Sequence, residues 1–113
     1  MPPYPLIELE LRVGTWDTSE WFLPDTGYDG GVAIPAGVAR EILAEPDFVD
    51  VRLGHDGIET LPSWAGTATI GGREFRTDVT GIGSDYLVGL EVLNQLEICF
   101  EFGQRVRLRF GDE

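Results

Sequence analysis

Apolar residues recur at every second position from Ile7 to Val13, with Glu8, Glu10 and Arg12 between them. That period predicts a strand with one buried face. Residues 19–23 predict a second strand that runs directly into Pro24-Asp25-Thr26-Gly27. After a short strand ending at Ile34-Pro35, Val38, Ala39, Ile42 and Leu43 fall at helical spacing behind a proline whose missing N–H suits a first turn. Val49, Val51 and Leu53 alternate again, Gly54-His55-Asp56-Gly57 reads as a turn, and a strand resumes at Ile58, so a projecting hairpin is expected. Gly71-Gly72, set between the segments at 67–70 and 73–75, reads as a second turn and suits a two-residue hairpin loop that needs positive φ. Tyr86-Leu87-Val88 is a short apolar strand ended by Gly89, and residues 90–95 read as a helical turn or two.

The C-terminal pattern fixes a register. Leu96, Ile98, Phe100 and Phe102 alternate with polar positions, as do Val106, Leu108 and Phe110. Bringing the apolar faces together pairs Phe100 with Val106 and Ile98 with Leu108, and it sets Glu101 opposite Arg105, Glu97 opposite Arg109 and Cys99 opposite Arg107. The loop is then Phe102-Gly103-Gln104, with glycine at hand for a left-handed position. Short, closely spaced strands with one modest helix and a later helical turn predict a mainly β domain, a small barrel or sandwich spanning residues 1–113 as one unit.

Composition narrows the function. The chain has 113 residues, 42% of them hydrophobic, enough for one core. Its formal charge is −12, and the basic residues are all arginine. Such a surface repels phosphate backbones and anionic lipids, which argues against nucleic-acid and membrane partners. One Cys and one His supply neither a disulfide nor the usual zinc ligand sets, so no metal or other cofactor is expected. With no basic-then-apolar leader and no apolar run of about eighteen residues, the expectation is a soluble, cytoplasmic protein.

The candidate chemistry lies at Asp25. An Asp before Thr-Gly is ordinarily a turn residue that accepts backbone N–H groups. Here an apolar strand, Trp21-Phe22-Leu23, delivers it, and a glycine that allows close approach follows, a rigid platform for acid–base work. Asp29 reads equally as a turn residue or a substrate contact. His55 reads as an exposed turn histidine, since no Ser or Cys is placed for a triad. Gly81-Ile82-Gly83 lacks the third glycine of a dinucleotide fingerprint, and Trp64 reads as packing.

Three features in order carry a resemblance. Phe22-Leu23-Pro24-Asp25-Thr26-Gly27-Tyr28-Asp29-Gly30 comes first, then the hairpin around His55-Asp56-Gly57, then Tyr86-Leu87-Val88-Gly89 followed by Leu90-Glu91-Val92-Leu93. The chain thereby resembles the retropepsin-like aspartic proteases, including their single-domain prokaryotic type. The resemblance implies a closed β-barrel or sandwich with one or two short helices and a flap hairpin. It implies an aspartic endopeptidase active as a homodimer, in which Asp25 and its symmetry mate share one proton and activate a water against an extended polypeptide. Thr26 would brace the pair across the two-fold axis and Gly27 would accept a hydrogen bond from substrate. Tyr28, Asp29, His55, Asp56 and Gly57 would contact substrate, with Leu87, Val88 and Gly89 supporting the site. Leu90 stands where retroviral relatives carry an arginine that pairs with the acidic residue matched by Asp29, Tyr28 replaces a small residue, and the chain adds a terminal strand. These departures leave an alternative of a different class, an inactive interaction module on the same fold.

Overall fold

The computed structural model describes residues 5–54, 57–101 and 105–110. Among them the strands are β1 (Ile7–Val13), β2 (Trp16–Pro24), β3 (Val32–Ile34), β4 (Phe48–Gly54), β5 (Gly57–Ile70), β6 (Arg73–Gly81), β7 (Leu87–Val88), β8 (Leu96–Glu101) and β9 (Arg105–Phe110), with one-turn helices α1 (Ala36–Ala39) and α2 (Leu90–Leu93).

Six strands close on themselves. The sheet order is β1-β2-β7-β3-β6-β5, and β5 pairs back onto β1 through Glu10↔Thr69, Leu11↔Ala68 and Arg12↔Thr67. Closure removes the open edges that a sheet of this size would otherwise expose. The inward residues of β1, namely Ile7, Leu9, Leu11 and Val13, are all buried, as the alternation requires. They meet Phe22, Val32, Ile34, Trp64, Ala68, Ile70, Val79, Val88 and Val92 in one core. Full burial of a side chain such as Phe22 contributes about 1.5–3 kcal/mol.

The Gly71-Gly72 turn joins β5 to β6 with Ile70↔Arg73 as its closing pair, and both glycines take positive φ, 57° and 83°. This is the two-residue loop that the sequence predicts, with the left-handed conformation at both central positions that only glycine adopts without strain.

β5 is 14 residues long because it serves two structures. Its C-terminal half belongs to the barrel, and its N-terminal half pairs with β4 from Phe48↔Ser63 to Gly54↔Gly57, forming the expected projecting hairpin. The apolar residues of that hairpin do not face a core: Val49, Val51 and Ile58 are 55%, 65% and 70% exposed.

The helix after Pro35 is shorter than its spacing suggests. It ends at Ala39, and the chain continues through turns in which the Glu41 N–H donates to the Val38 carbonyl and the Ile42 N–H to the Ala39 carbonyl. Ile42 is buried by this route, while Leu43 is 90% exposed. Two constraints hold the segment that follows. Trp64 Nε1 donates to the Ala44 carbonyl at 2.8 Å, and Pro46 pushes Glu45 towards extended conformations.

β8 and β9 form a separate two-stranded sheet. Their register is Phe100↔Val106, Ile98↔Leu108, Glu101↔Arg105, Glu97↔Arg109 and Cys99↔Arg107, as the apolar alternation dictates. The loop at 102–104 lies outside the described residues.

Candidate active site

β2 delivers Asp25 to the end of the barrel. β7 runs parallel to β2 on one side, with Leu23↔Leu87 and Pro24↔Val88, and antiparallel to β3 on the other, with Val32↔Val88 and Ala33↔Leu87. The two residues of β7 are thus threaded between the segments that enter and leave the Asp25 loop. The Leu23 N–H donates to the Tyr86 carbonyl and the Asp25 N–H to the Val88 carbonyl, each at 2.9 Å. Residues 23 and 25 therefore aim their N–H groups at β7. Pro24, which has none, sits where a strand tolerates that lack.

The loop from Asp25 to Gly31 is held from beneath by α2. A helix start leaves N–H groups without intrahelical partners. Here Gly89 N–H donates to the Gly31 carbonyl at 2.7 Å, Leu90 N–H to the Tyr28 carbonyl at 2.8 Å and Glu91 N–H to the Gly30 carbonyl at 3.1 Å. The Tyr28 side chain lies against Gly30 and Gly89: a Cβ on Gly30 would fall 2.5 Å from the Tyr28 hydroxyl oxygen, and one on Gly89 would fall 2.6 Å from Tyr28 Cδ2. Leu87, Val88 and Gly89 thus lie beneath the loop.

Asp25 itself is half-buried. Its Oδ1 accepts the Gly27 N–H at 2.8 Å and its carbonyl accepts the Tyr28 N–H at 3.1 Å, so the carboxylate is part of the turn that presents it. Among the described residues Oδ2 has no hydrogen-bond partner. Thr26, Gly27 and Asp29 are exposed.

Two adjoining cavities share Gly27, Tyr28 and Ile82 as walls. The smaller, about 210 Å³, borders Asp25 and is lined also by Gly83, Ser84, Asp85 and Leu87. The larger, about 400 Å³, runs along residues 27–31 and beneath Val51 and Leu61 of the hairpin to Asp78, Thr80 and Ile82. Gly57 opens β5 but does not line either cavity, and His55 and Asp56 lie outside the described residues. Sequence reasoning missed Val51, Leu61, Asp78, Thr80, Ile82 and Asp85. Only the apolar alternation in the projecting hairpin hinted at the first.

The surface also has a larger concavity of about 560 Å³ between β1, β2 and the β5–β6 turn, lined by Glu10, Arg12, Asp17 and Glu74 among others. It is open and polar and does not adjoin Asp25, so size alone would choose the wrong place. Among the described residues no group of three His, Cys, Asp or Glu is arranged to hold a metal ion, and no helix is long and apolar enough to cross a membrane. Beside the site, burial pushes the Tyr86 hydroxyl above its ordinary titration range, with the charges of Glu20 and Glu41 adding to the effect. Its ring meets Phe22 edge-on, centroids 5.2 Å apart.

No family profile matches this sequence, and no curated protein does. Solved structures do. The solution structure of the simian foamy virus (mac) protease superposes with a TM-score of 0.60 over 79% of this chain and 91% of that one, at 16% identity. The fold is therefore retropepsin-like, a mainly β closed barrel with two short helices.

Proposed function

We propose that this chain is one half of an aspartic endopeptidase and that two copies place Asp25 and its symmetry mate on either side of a water molecule. The observation that carries this reading is the mounting of Asp25. It is half-buried, has one oxygen fixed by the Gly27 N–H, and lies in a loop braced by β7 and α2 at the mouth of a cleft beneath a projecting hairpin. The retropepsin-like fold supports it.

The chemistry needs two carboxyl groups with one proton between them. Like charges in one site cannot both ionise cheaply, so the proton is shared, as in aspartic proteases generally. The ionised carboxylate takes a proton from the water while the water oxygen bonds to the peptide carbonyl carbon. The protonated carboxyl donates to the carbonyl oxygen, giving a gem-diol intermediate. Return of a proton to the amide nitrogen then lets the C–N bond break, releasing an amine and a carboxylic acid. Because the chain has a single Asp-Thr-Gly, a two-fold axis beside Asp25 supplies the second carboxyl. Thr26, exposed next to it, would brace the pair. The β4–β5 hairpin would close over an extended polypeptide and offer main-chain hydrogen bonds.

A second reading, a fold kept for binding alone, draws on Asp29, which is exposed and makes no ion pair with any described residue. One experiment separates the two. Purified protein is incubated with an unfolded polypeptide from acidic to neutral pH, and the peptidase reading requires cleavage that a statine-type inhibitor and Asp25→Asn each abolish. Cleavage indifferent to both counts against Asp25 as the reacting group, and no cleavage while binding persists in Asp25→Asn decides for the second. Two chains of −12 must also associate, so salt strengthens dimerisation by screening their repulsion.

A further inference from the structure

We propose that the substrate is a cationic polypeptide, and that the side chain next to the cleaved bond is Lys or Arg, held with its stem on Ile82 and Leu87 and its charge at Asp85. This rests on the assignment of Asp25 as the reacting carboxylate. The cavity that borders Asp25 is small, about 210 Å³, and its walls combine two chemistries. Tyr28, Ile82 and Leu87 supply apolar surface, and among the described residues its one charged lining group besides Asp25 is Asp85, which is exposed. An aliphatic wall with a carboxylate at its rim suits a side chain that is apolar along its length and charged at its tip. Glu or Asp in this position would meet two carboxylates, and a shorter apolar residue would not reach Asp85.

The adjoining cavity repeats the pattern independently. Val51, Leu61 and Ile82 supply its apolar surface, and among the described residues its charged lining groups are Asp29 and Asp78, neither in an ion pair with a described residue. Arg76 lies two residues before Asp78 on the same strand, but it lines a separate concavity on the other side of Asp78 and not this one. Among the described residues the charged groups lining the two cavities are therefore of one sign. Clefts of one sign with apolar walls concentrate the opposite charge within them.

The test uses three peptides identical except for the residue flanking the cleaved bond, which is Lys, norleucine or Glu, after a peptide mixture has located that bond. For the wild-type protein kcat/KM should rank Lys over norleucine over Glu, with Lys over Glu by about tenfold at low salt and less at high salt. Asp85→Asn should remove most of the Lys over norleucine ratio, and Asp85→Arg should invert Lys and Glu. Asp85 is exposed, so neither variant threatens the fold. Glu10→Gln removes the same charge from the remote concavity and should leave the ratios unchanged. Equal rates for Lys and Glu peptides, ratios untouched by Asp85→Arg, or ratios reduced as much by Glu10→Gln would overturn the inference. Should no peptide be cleaved, fluorescence anisotropy of labelled extended peptides that differ only in one central residue, Lys, norleucine or Glu, decides. Lys-selective binding abolished by Asp85→Arg sustains the inference while the peptidase reading fails, and binding blind to charge overturns it.

Discussion

Replacing Gly89 with alanine probes the brace under the Asp25 loop. Gly89 has φ −101° and ψ −176°, which any residue adopts, so the backbone raises no objection and the space around it decides. An added Cβ would sit 2.6 Å from both Cδ2 and the carbonyl oxygen of Tyr28 and would also press on the Gly30 carbonyl oxygen. Two of those obstacles are backbone atoms of the loop itself, which cannot rotate away as a flexible side chain could. Relief requires α2 and the 28–31 loop to part, which lengthens the Gly89, Leu90 and Glu91 hydrogen bonds to the loop carbonyls. Overpacking costs about 1–3 kcal/mol and each weakened hydrogen bond about 0.5–1.5 kcal/mol. The sum, about 2.5–7.5 kcal/mol if all three bonds weaken, is a large part of the roughly 6–17 kcal/mol expected for a domain of this length. Urea unfolding at equilibrium measures it. Gly37→Ala provides the contrast, because a Cβ there meets nothing within 4 Å on a helical residue, and it should be neutral or stabilise by up to about 1 kcal/mol. If Gly89→Ala stayed within about 1 kcal/mol of wild type, or matched Gly37→Ala, the brace would not exist as described.

Three further substitutions test other parts of the account. Tyr86 has a folded pKa raised above its ordinary 10.0, so the fold favours its protonated form: stability is full below pH 10 and falls as pH rises from there through the raised value. Urea titrations at successive alkaline pH should show this loss in wild type and a shallower one in Tyr86→Phe, and parallel slopes would refute it. Trp64→Phe removes the bond from Nε1 to the Ala44 carbonyl and should cost about 1–3 kcal/mol by thermal unfolding, whereas no change would mean that the bond does not hold the 40–46 segment in place. Val51→Ser, at a position 65% exposed, should shift stability by no more than about 0.5 kcal/mol yet raise KM several-fold by removing apolar wall without adding charge; a destabilised protein with unchanged KM would show that the hairpin serves the fold and not the cleft.

Much of the fold is legible in the residues because several signals are local. The alternation in β1, the paired glycines at 71 and 72, and the opposed apolar rows of β8 and β9 each specify partner and register within a few residues. The delivery of residue 25 by an apolar strand is local too. Two kinds of information are not. The parallel pairings of β2 with β7 and of β3 with β6 join segments separated by about half the chain, and no short-range pattern encodes them. β2 begins at Trp16 and not near residue 19, and its first half is hidden in the sequence because Thr18 and Glu20, polar residues, occupy the positions that alternate with Phe22. In the projecting hairpin the alternation identifies strands correctly but not burial, since Val49, Val51 and Ile58 are exposed. The cleft was the least legible part. Asp78, Ile82 and Asp85 reach it only through the long-range pairing of β3 with β6 and the passage of the chain beneath the 25–31 loop.

The claim on which everything depends is that each of two chains contributes one carboxyl to one site, and subunit mixing measures it. Wild type and Asp25→Asn are combined at varied ratios and fixed total concentration, allowed to exchange partners, and assayed for peptide cleavage. If both carboxyls are required, activity follows the square of the wild-type fraction and an equimolar mixture retains about one quarter of the wild-type rate. Activity that falls in simple proportion, leaving about one half, would mean that a single chain is sufficient and would contradict the shared dyad.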